Sequence, residues 1–397
     1  MGMYAPVLMM LLGQLGMMIL RSVIRMKIPR VRSNRVIGHE WYHQALSVGT
    51  VVVMFTLIVL LPRLDWSARA TPLDVLQTSL RFHHCVAHGD YSRALEYADT
   101  VIRDSDTRHH SPVLVHDVHL ALYKTGRLME ELLMWPHKSY ILLPDLFYKH
   151  ASTFEMERKI DIVTRLGRIN DAERLSYELM AITGGRYHPE LFWHLCKIHS
   201  VKNEPEIAMI YLRHLARDRI HRERALKFMH SLEDDGVHPE SMRIEDLRAR
   251  MQVFDDVQET IVSLDEQSGR VGIKNHRKLE NLLQSNPGNN MALEFLVGSY
   301  LINGNTAGVA QNAYRFAAAG YAQIPDRVQE ALVIYRIQGG EFDRSLAQMV
   351  SPDTVARFRR FSSVAQYYSR QPGAASHESM KEFQETYWYY LWLHSAG

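Results

Sequence analysis

The sequence contains little cysteine, glycine or proline, and no excess of either charge. Two cysteines in 397 residues cannot build a disulfide framework, and 22 glycines with 14 prolines are too few for a fibrous or linker-dominated protein. The 46 basic and 44 acidic residues nearly cancel, so a nucleic-acid partner is not expected. We find no glycine-rich phosphate loop, no Gly-x-Ser-x-Gly and no paired Cys-x-x-Cys, so no cofactor is expected. With 46% apolar residues, the composition is that of a globular protein.

Two apolar segments near the N-terminus carry no charged residue. They cover residues 3–20 and 45–62, and each is 18 residues long. A helix of that length spans roughly 27 Å, close to the ~30 Å hydrocarbon core of a bilayer. The sequence therefore predicts a two-span transmembrane hairpin over residues 1–65, which makes the lipid bilayer a partner of both segments.

The charges around these segments predict an orientation. Residues 21–38 hold six cations and no acidic residue, which places this loop in the cytoplasm by the positive-inside rule. Residues 66–397 carry a net charge of −3, so the basic excess belongs to the hairpin. We expect a multi-pass protein of the bacterial inner membrane with its C-terminal domain in the periplasm.

From about Thr71 onward, the sequence has the pattern of paired helices. Apolar residues recur at spacings of three and four, and glycine or proline separates successive helices, as at Gly89, Gly167 and Pro189. A period in the mid-thirties is typical of tetratricopeptide repeats. We predict an all-α fold in which the hairpin precedes a tetratricopeptide-like α-α solenoid, with helical repeats over 66–247 and further repeats over 248–397.

Two passages resemble a known family. Residues 281–301 read NLLQSNPGNNMALEFLVGSYL, with Ile324-Pro325 and Glu330-Ala331-Leu332 after them, and residues 120–135 read LALYKTGRLMEELLMW. They resemble an uncharacterised family of Gram-negative bacterial membrane proteins with N-terminal spans and tetratricopeptide-like helices, over roughly residues 66–350. That family usually has more than two spans, so the resemblance implies a short member or a start inside a longer frame. It implies no catalytic residue.

One motif carries a chemical mechanism. His39-Glu40-Trp41-Tyr42-His43 matches H-E-x-x-H, in which two histidines on one helix face bind zinc and the glutamate acts as general base. The alternative is a membrane-interface position, where Trp41 and Tyr42 form part of an aromatic belt beside polar neighbours. The second interpretation explains more of the segment, so we expect neither a metal at His39 and His43 nor catalysis by Glu40.

Three weaker patterns have structural interpretations. His84 and His88 lie four residues apart within a repeat helix, and we expect them to be packed or solvated. Residues 213–227 form a basic run that is interrupted by acidic residues and is typical of a solvent-facing helix. Cys85 and Cys196 lie on apolar helix faces, so we expect buried thiols.

The C-terminal segment, residues 378–394, is rich in aromatic residues. It predicts a helix that caps the last repeat, and the alternative is a helix resting on the membrane surface. For the whole chain we expect a periplasmic scaffold that binds an envelope protein or peptide, rather than an enzyme. Two alternatives remain open: a membrane-associated zinc metalloprotease, or an accessory repeat domain of a larger polytopic enzyme.

Overall fold

A computed structural model describes residues 72–102, 112–135, 152–233, 239–251, 271–341, 343–370 and 380–395. The chain divides into two units, residues 1–70 and 71–397, and all described residues lie in the second. Within these ranges every regular element is a helix and none is a strand. The all-α part of the predicted fold class is therefore confirmed.

The membrane part of the predicted fold class is corrected. Among the described residues, no helix is long and apolar enough to cross a bilayer, which takes about 20 consecutive apolar residues. The longest described helix, Pro352–Arg370, has 19 residues but carries Arg357, Arg359 and Arg360 in its interior. The predicted spans over 3–20 and 45–62, with the loop between them, lie outside the described residues, so the two-span hairpin has no support in the structure. The location that we derived from it stays a prediction.

The second unit begins with a helix pair and a third helix. The left-handed backbone of Gly89, with φ of 81°, turns the chain between the first two helices, and Gly126, with φ of 71°, follows the third. Their bounds are α1 (Pro72–His88), α2 (Tyr91–Ile102), α3 (Pro112–Lys124) and the short α4 (Leu128–Glu131), which a 3-10 helix (Leu132–Met134) continues.

Six helices follow in the next stretch of chain. The first of them starts with a capping box, in which the Ser152 hydroxyl accepts from the Glu155 N–H and the Glu155 carboxylate accepts from the Ser152 N–H. It ends at Gly167, where φ is 91°. The six helices are α5 (Thr153–Leu166), α6 (Ile169–Ile182), α7 (Pro189–Val201), α8 (Pro205–Leu215), α9 (Arg222–Glu233) and α10 (Pro239–Arg250).

The remaining helices form the C-terminal part of the unit. Asn289 and Asn305 cap two of them, each accepting a hydrogen bond from a backbone N–H in the first turn. These helices are α11 (Val271–Ser285), α12 (Asn290–Ile302), α13 (Thr306–Asn312), α14 (Tyr314–Ala318), α15 (Asp326–Ile337), α16 (Arg344–Gln348), α17 (Pro352–Arg370) and α18 (Tyr387–Ser395).

Three clusters of buried apolar side chains hold these helices together. The first cluster joins α1–α4 to α11–α15 and takes in Ile162 and Leu166 of α5. The second cluster lies among α5–α10 and takes in Ile160 and Val163 of α5. Helix α5 thus packs into two cores with two of its faces. A third, smaller cluster lies between α17 and α18 and contains Trp388.

Helix α10 packs against α5, α7 and α9. Its Ile244 is buried in the second cluster. The polar side chains of α10 face a cavity. Helices α5, α7 and α9, each the first helix of a pair, also line this cavity.

Candidate functional site

A cavity of about 560 Å³ opens between the α1–α2 turn, the end of α3, and helices α5, α7, α9 and α10. Few apolar side chains line it. Three carboxylates do so, namely Asp161, Glu190 and Asp246. Seven cationic side chains outnumber them: Lys124, Arg158, Arg165, Lys197, Arg224, Arg243 and Arg250.

The cations of α5 reach the cavity because of their spacing. Arg158, Asp161 and Arg165 stand three, four and seven residues apart, which places them on one face of the helix. Ile160 and Val163 lie between them in the chain and are buried in the second cluster. Core packing therefore fixes the rotation of α5 and presents its charged face to the cavity.

A chain of ion pairs runs from the first helix pair to this face. His83 Nδ1 lies 2.8 Å from Asp117 Oδ2, and Arg158 Nη2 donates to Asp117 Oδ1 at 2.6 Å. Arg158 Nη1 lies 3.4 Å from Asp161 Oδ2, to which Arg165 Nε donates at 2.9 Å. The two arginines of the α5 face are thus balanced by two aspartates of the protein, Asp117 and Asp161.

The pKa values of this chain reflect the balance between burial and pairing. Burial would raise the pKa of Asp161, but the charges of Arg165 and Arg158 outweigh it and hold that pKa well below its usual range. Burial acts against the charged form of Arg165 too, and Asp161 outweighs it, so the pKa of Arg165 is raised. Both groups are therefore ionised at neutral pH.

Lys124 is the cation that this network leaves unbalanced. It stands at the end of α3 and makes no ion pair with a carboxylate in the described part of the chain, and its ammonium lies 5.5 Å from the ring centroid of Tyr123. Burial, followed by the positive charges of Arg165 and Arg250, lowers the pKa of Lys124 to about 8, and the negative charges of Asp246 and Asp161 offset this only in part. A lysine that other cations destabilise in this way indicates a place for an anion.

Helix α10 forms one wall of the cavity, and hydrogen bonds to other helices hold its C-terminal end in place. Arg248 donates from Nη2 to the Ser200 carbonyl at 2.8 Å and from Nε to the Val201 carbonyl at 3.1 Å, which satisfies the last carbonyls of α7. Asn289 Nδ2 donates to the Leu166 carbonyl at 2.7 Å and to the Arg250 carbonyl at 3.3 Å. These bonds fix Arg250 and Asp246, whose side chains pair at 2.5 Å, on the cavity rim.

Two further groups define what the cavity can do chemically. The Arg224 guanidinium lies 4.2 Å from the ring centroid of Trp193, so stacking holds its charge at the opening. Burial lowers the pKa of His194 to about 3, so this imidazole is neutral at physiological pH. No group of three or more His, Cys, Asp or Glu side chains that could hold a metal ion occurs among the described residues. The arrangement is suited to binding an anion.

Comparison with known proteins gives a family for the chain. The sequence model of a family of unknown function, DUF6057, matches residues 1–394. The chain belongs to the DUF6057 family. No curated protein and no solved structure matches it. The predicted resemblance to an uncharacterised family is confirmed, while the match does not establish membrane spans, a Gram-negative origin or tetratricopeptide-like repeats.

Of the histidines that the sequence singled out in the DUF6057 protein, the structure describes only His84 and His88, and His88 lines the cavity. His39, Glu40 and His43 lie outside the described residues, so the interpretation of the H-E-x-x-H match stays a prediction. The rings of His84 and His88 stack with centroids 4.0 Å apart on the exposed side of α1.

The two cysteines and the basic run are placed by the structure. Cys85 is buried in the first cluster and Cys196 in the second, as predicted. Most basic residues of the run over 213–227 are exposed, but Arg224 lines the cavity. Arg224 is itself exposed, in agreement with the predicted solvent-facing surface, and its stacking partner Trp193 lies on another helix.

Sequence reasoning missed the remaining cavity residues for a physical reason. Arg165 with Asp161, and Arg250 with Asp246, are pairs four residues apart, a pattern that most exposed helices show. Lys124 stands at the C-terminal end of α3, where the helix dipole favours a cation in any protein. One signal was available in the sequence. Helices α3 and α5 each carry a cation on a helix face that adjoins core residues, a face that the sequence predicts to be an ordinary polar surface.

Proposed function

We propose that the DUF6057 protein is a helical-repeat binding protein that holds an acidic segment of a protein partner in the cationic cavity. Helices α5, α7 and α9 begin at Thr153, Pro189 and Arg222, and this spacing is typical of tetratricopeptide repeats. Stacked helix pairs of this kind leave a concave surface that commonly binds peptides. That α5, α7 and α9 all contribute cations to one cavity supports a binding surface shared between repeats.

The observation that carries this proposal is the charge imbalance around Lys124. Seven cations and three carboxylates line the cavity, and Lys124 is half-buried among positive charges. Such an arrangement is unfavourable in isolation and becomes favourable when an anion occupies the cavity. Since most of the lining side chains are charged and most of these are cations, a ligand of negative charge gains most by entering.

The first test compares acidic and basic peptides on the full chain. Two fluorescein-labelled peptides are made from glycine with several glutamates or, in the counterpart, lysines at the same positions. Fluorescence anisotropy should show saturable binding of the acidic peptide, weakening as salt is added, and no binding of the basic one. Equal binding of both peptides, or of neither, would rule the proposal out.

The second test locates the binding with charge-reversed variants. Lys124→Glu should weaken binding of the acidic peptide by about tenfold or more, the usual effect of losing a charged hydrogen bond. Lys227→Glu is the matched control: Lys227 is exposed, pairs with Glu223 at 2.7 Å and does not line the cavity. Both variants change the net charge equally, so an equal loss of affinity would place the binding elsewhere.

A further inference from the structure

Three arginines of the cavity already have carboxylate partners. Arg165 is paired with Asp161, Arg158 with Asp117 and Asp161, and Arg250 with Asp246. An incoming carboxylate can offer these guanidinium groups only what the protein's own aspartates supply, namely two oxygens and one negative charge. A stronger anion is required for a net gain at these guanidinium groups.

The unbalanced charge lies where several cations converge. Lys124 has no carboxylate partner among the described residues, and it is close enough to Arg165 and Arg250 for their charges to destabilise its own. A phosphomonoester carries a charge of about −1.5 to −2 and three acceptor oxygens. It can therefore accept from Lys124 and from guanidinium N–H groups that the aspartates leave unused at the same time.

We propose that the cavity recognises a phosphomonoester dianion on a phosphorylated side chain of the protein partner, with Lys124 as the central cation. This proposal rests on the proposed function and narrows its ligand. The room available agrees with it, because a cavity of about 560 Å³ accommodates a side chain with its phosphate and a short stretch of peptide.

The test uses three labelled peptides of one sequence that carry serine, glutamate or phosphoserine at the central position. Binding to the full chain is measured by anisotropy at constant ionic strength. At about pH 7.5 the phosphoserine peptide should bind about tenfold more tightly than the glutamate peptide, and the serine peptide should bind least. Equal affinity for phosphoserine and glutamate would overturn the phosphate proposal and leave the proposed function standing. If no peptide binds, both fall.

The pH dependence of binding shows whether the phosphate group itself causes the preference for the phosphoserine peptide over the glutamate peptide. The second pKa of a phosphomonoester is about 6, so the preference for phosphoserine over glutamate should shrink as pH falls from about 7.5 to about 5. The titratable groups on the cavity wall are His88 of α1, Tyr91 of α2, Lys124 of α3, Asp161 of α5, Glu190, His194 and Lys197 of α7, and Asp246 of α10, beside the permanently charged Arg158, Arg165, Arg224, Arg243 and Arg250. Changes in their charge act on both peptides, so the ratio of the two affinities reports the phosphate. A ratio independent of pH would contradict the proposal.

Two variants and one competitor complete the design. Lys124→Met should abolish the preference for phosphoserine, whereas Lys227→Met should leave it unchanged; Arg224→Met, at the cavity opening, should reduce it in part. Should Lys124→Met fail to fold, Lys124→Gln gives the same comparison with a polar side chain. If the free amino acid phosphoserine displaces the peptide at a concentration equal to the Kd of the peptide, the ligand is a small phosphate ester and the peptide part of the proposal is wrong.

Discussion

Glu294 of α12 is a buried carboxyl group with a pKa far from its ordinary value. It is 5% exposed, and the Tyr321 hydroxyl donates a hydrogen bond to it. Burial raises its pKa from 4.5 to about 7, and the hydrogen bond from Tyr321 only partly offsets this. The unfolded chain ionises this group at much lower pH than the folded chain does. The folded state therefore loses stability through Glu294 as pH rises from about 4.5 to 7.

The variant Glu294→Gln tests this pH-dependent loss of folding stability. Glutamine keeps an oxygen that accepts from Tyr321 but cannot ionise, so Glu294→Gln should gain stability relative to the wild type as pH rises. The difference should be small at about pH 4 and approach roughly 3 kcal/mol above pH 7. Urea denaturation at a series of pH values measures it. A difference that does not change with pH would show that Glu294 is not destabilised by burial.

Asn289 connects three elements through one fully buried side chain. Its Oδ1 accepts from the Ala292 N–H at 3.0 Å, and its Nδ2 donates to the carbonyls of Leu166 and Arg250. It thereby caps α12 and holds the ends of α5 and α10 beside the cavity. Asn305 caps α13 by a bond of 2.9 Å from the Gly308 N–H, but it is exposed.

These two asparagines form a matched pair for mutation. Asn305→Ala should cost about 1 kcal/mol, the ordinary value of an N-cap. Asn289→Ala should cost about 3 kcal/mol, because it also leaves two carbonyls without their donor. The free energies of unfolding from urea denaturation give both values. Equal losses would mean that the bonds to Leu166 and Arg250 contribute nothing to stability.

The C-terminal helix, α18, has one buried face and one exposed face. Trp388 is 1% exposed and packs edge-on against Phe358, with ring centroids 5.3 Å apart. Leu393, on the other face, is 46% exposed. The Tyr387 N–H also donates to Glu330 Oε2 at 2.7 Å, which ties the start of α18 to α15.

The contrast between these faces gives a prediction about stability. Trp388→Ala should lower the free energy of unfolding by about 3–5 kcal/mol, as expected for a large side chain removed from a core. Leu393→Ala should change it by less than about 0.5 kcal/mol. Thermal or urea denaturation of the full chain distinguishes them. If both variants melt like the wild type, α18 does not contribute to the folded core.

The sequence predicts helix ends that depend on local chemistry. It does not predict the end of α10, which depends on contacts with residues far along the chain. Pro189, which the sequence marks as a separator between helices, is the first residue of α7, a position that favours proline. Gly167, another such separator, ends α5. Helix α10 ends at Arg250, where neither a glycine nor a proline follows to mark the end locally. Asn286 and Asn289, far along the chain, hold the last carbonyls of α10.

At the scale of the whole molecule, the association of distant segments is what the sequence did not reveal. The first cluster joins residues from 82–166 with residues from 279–332 and Tyr387. It thus contains residues from both sides of the boundary predicted after residue 247. Arg327 Nε donates to the Glu130 carbonyl at 3.2 Å across the same junction. Helical periodicity shows which face of each helix is buried, but it does not show which helix covers that face.

The cavity likewise depends on which helices pack together, since its cations come from several helices. Lys124 ends α3, Arg165 belongs to α5, Arg224 to α9 and Arg250 to α10. Each alone has the pattern of an ordinary charged surface residue. Only their convergence supports the proposed anion-binding site, and convergence is a property of the fold.

The central claim is that an acidic ligand occupies this cavity at Lys124, and the chemical reactivity of that lysine tests it most directly. With a pKa of about 8, Lys124 has more of the reactive neutral amine at about pH 7.5 than a lysine with the ordinary value of 10.5. Acetylation of the full chain with limiting acetic anhydride, followed by mass spectrometry, measures the rates at Lys124 and Lys227 in one sample. We predict that the acidic peptide slows acetylation of Lys124 in a saturable manner and leaves Lys227 unaffected. An unchanged rate at Lys124, or equal slowing of both lysines, would contradict the account.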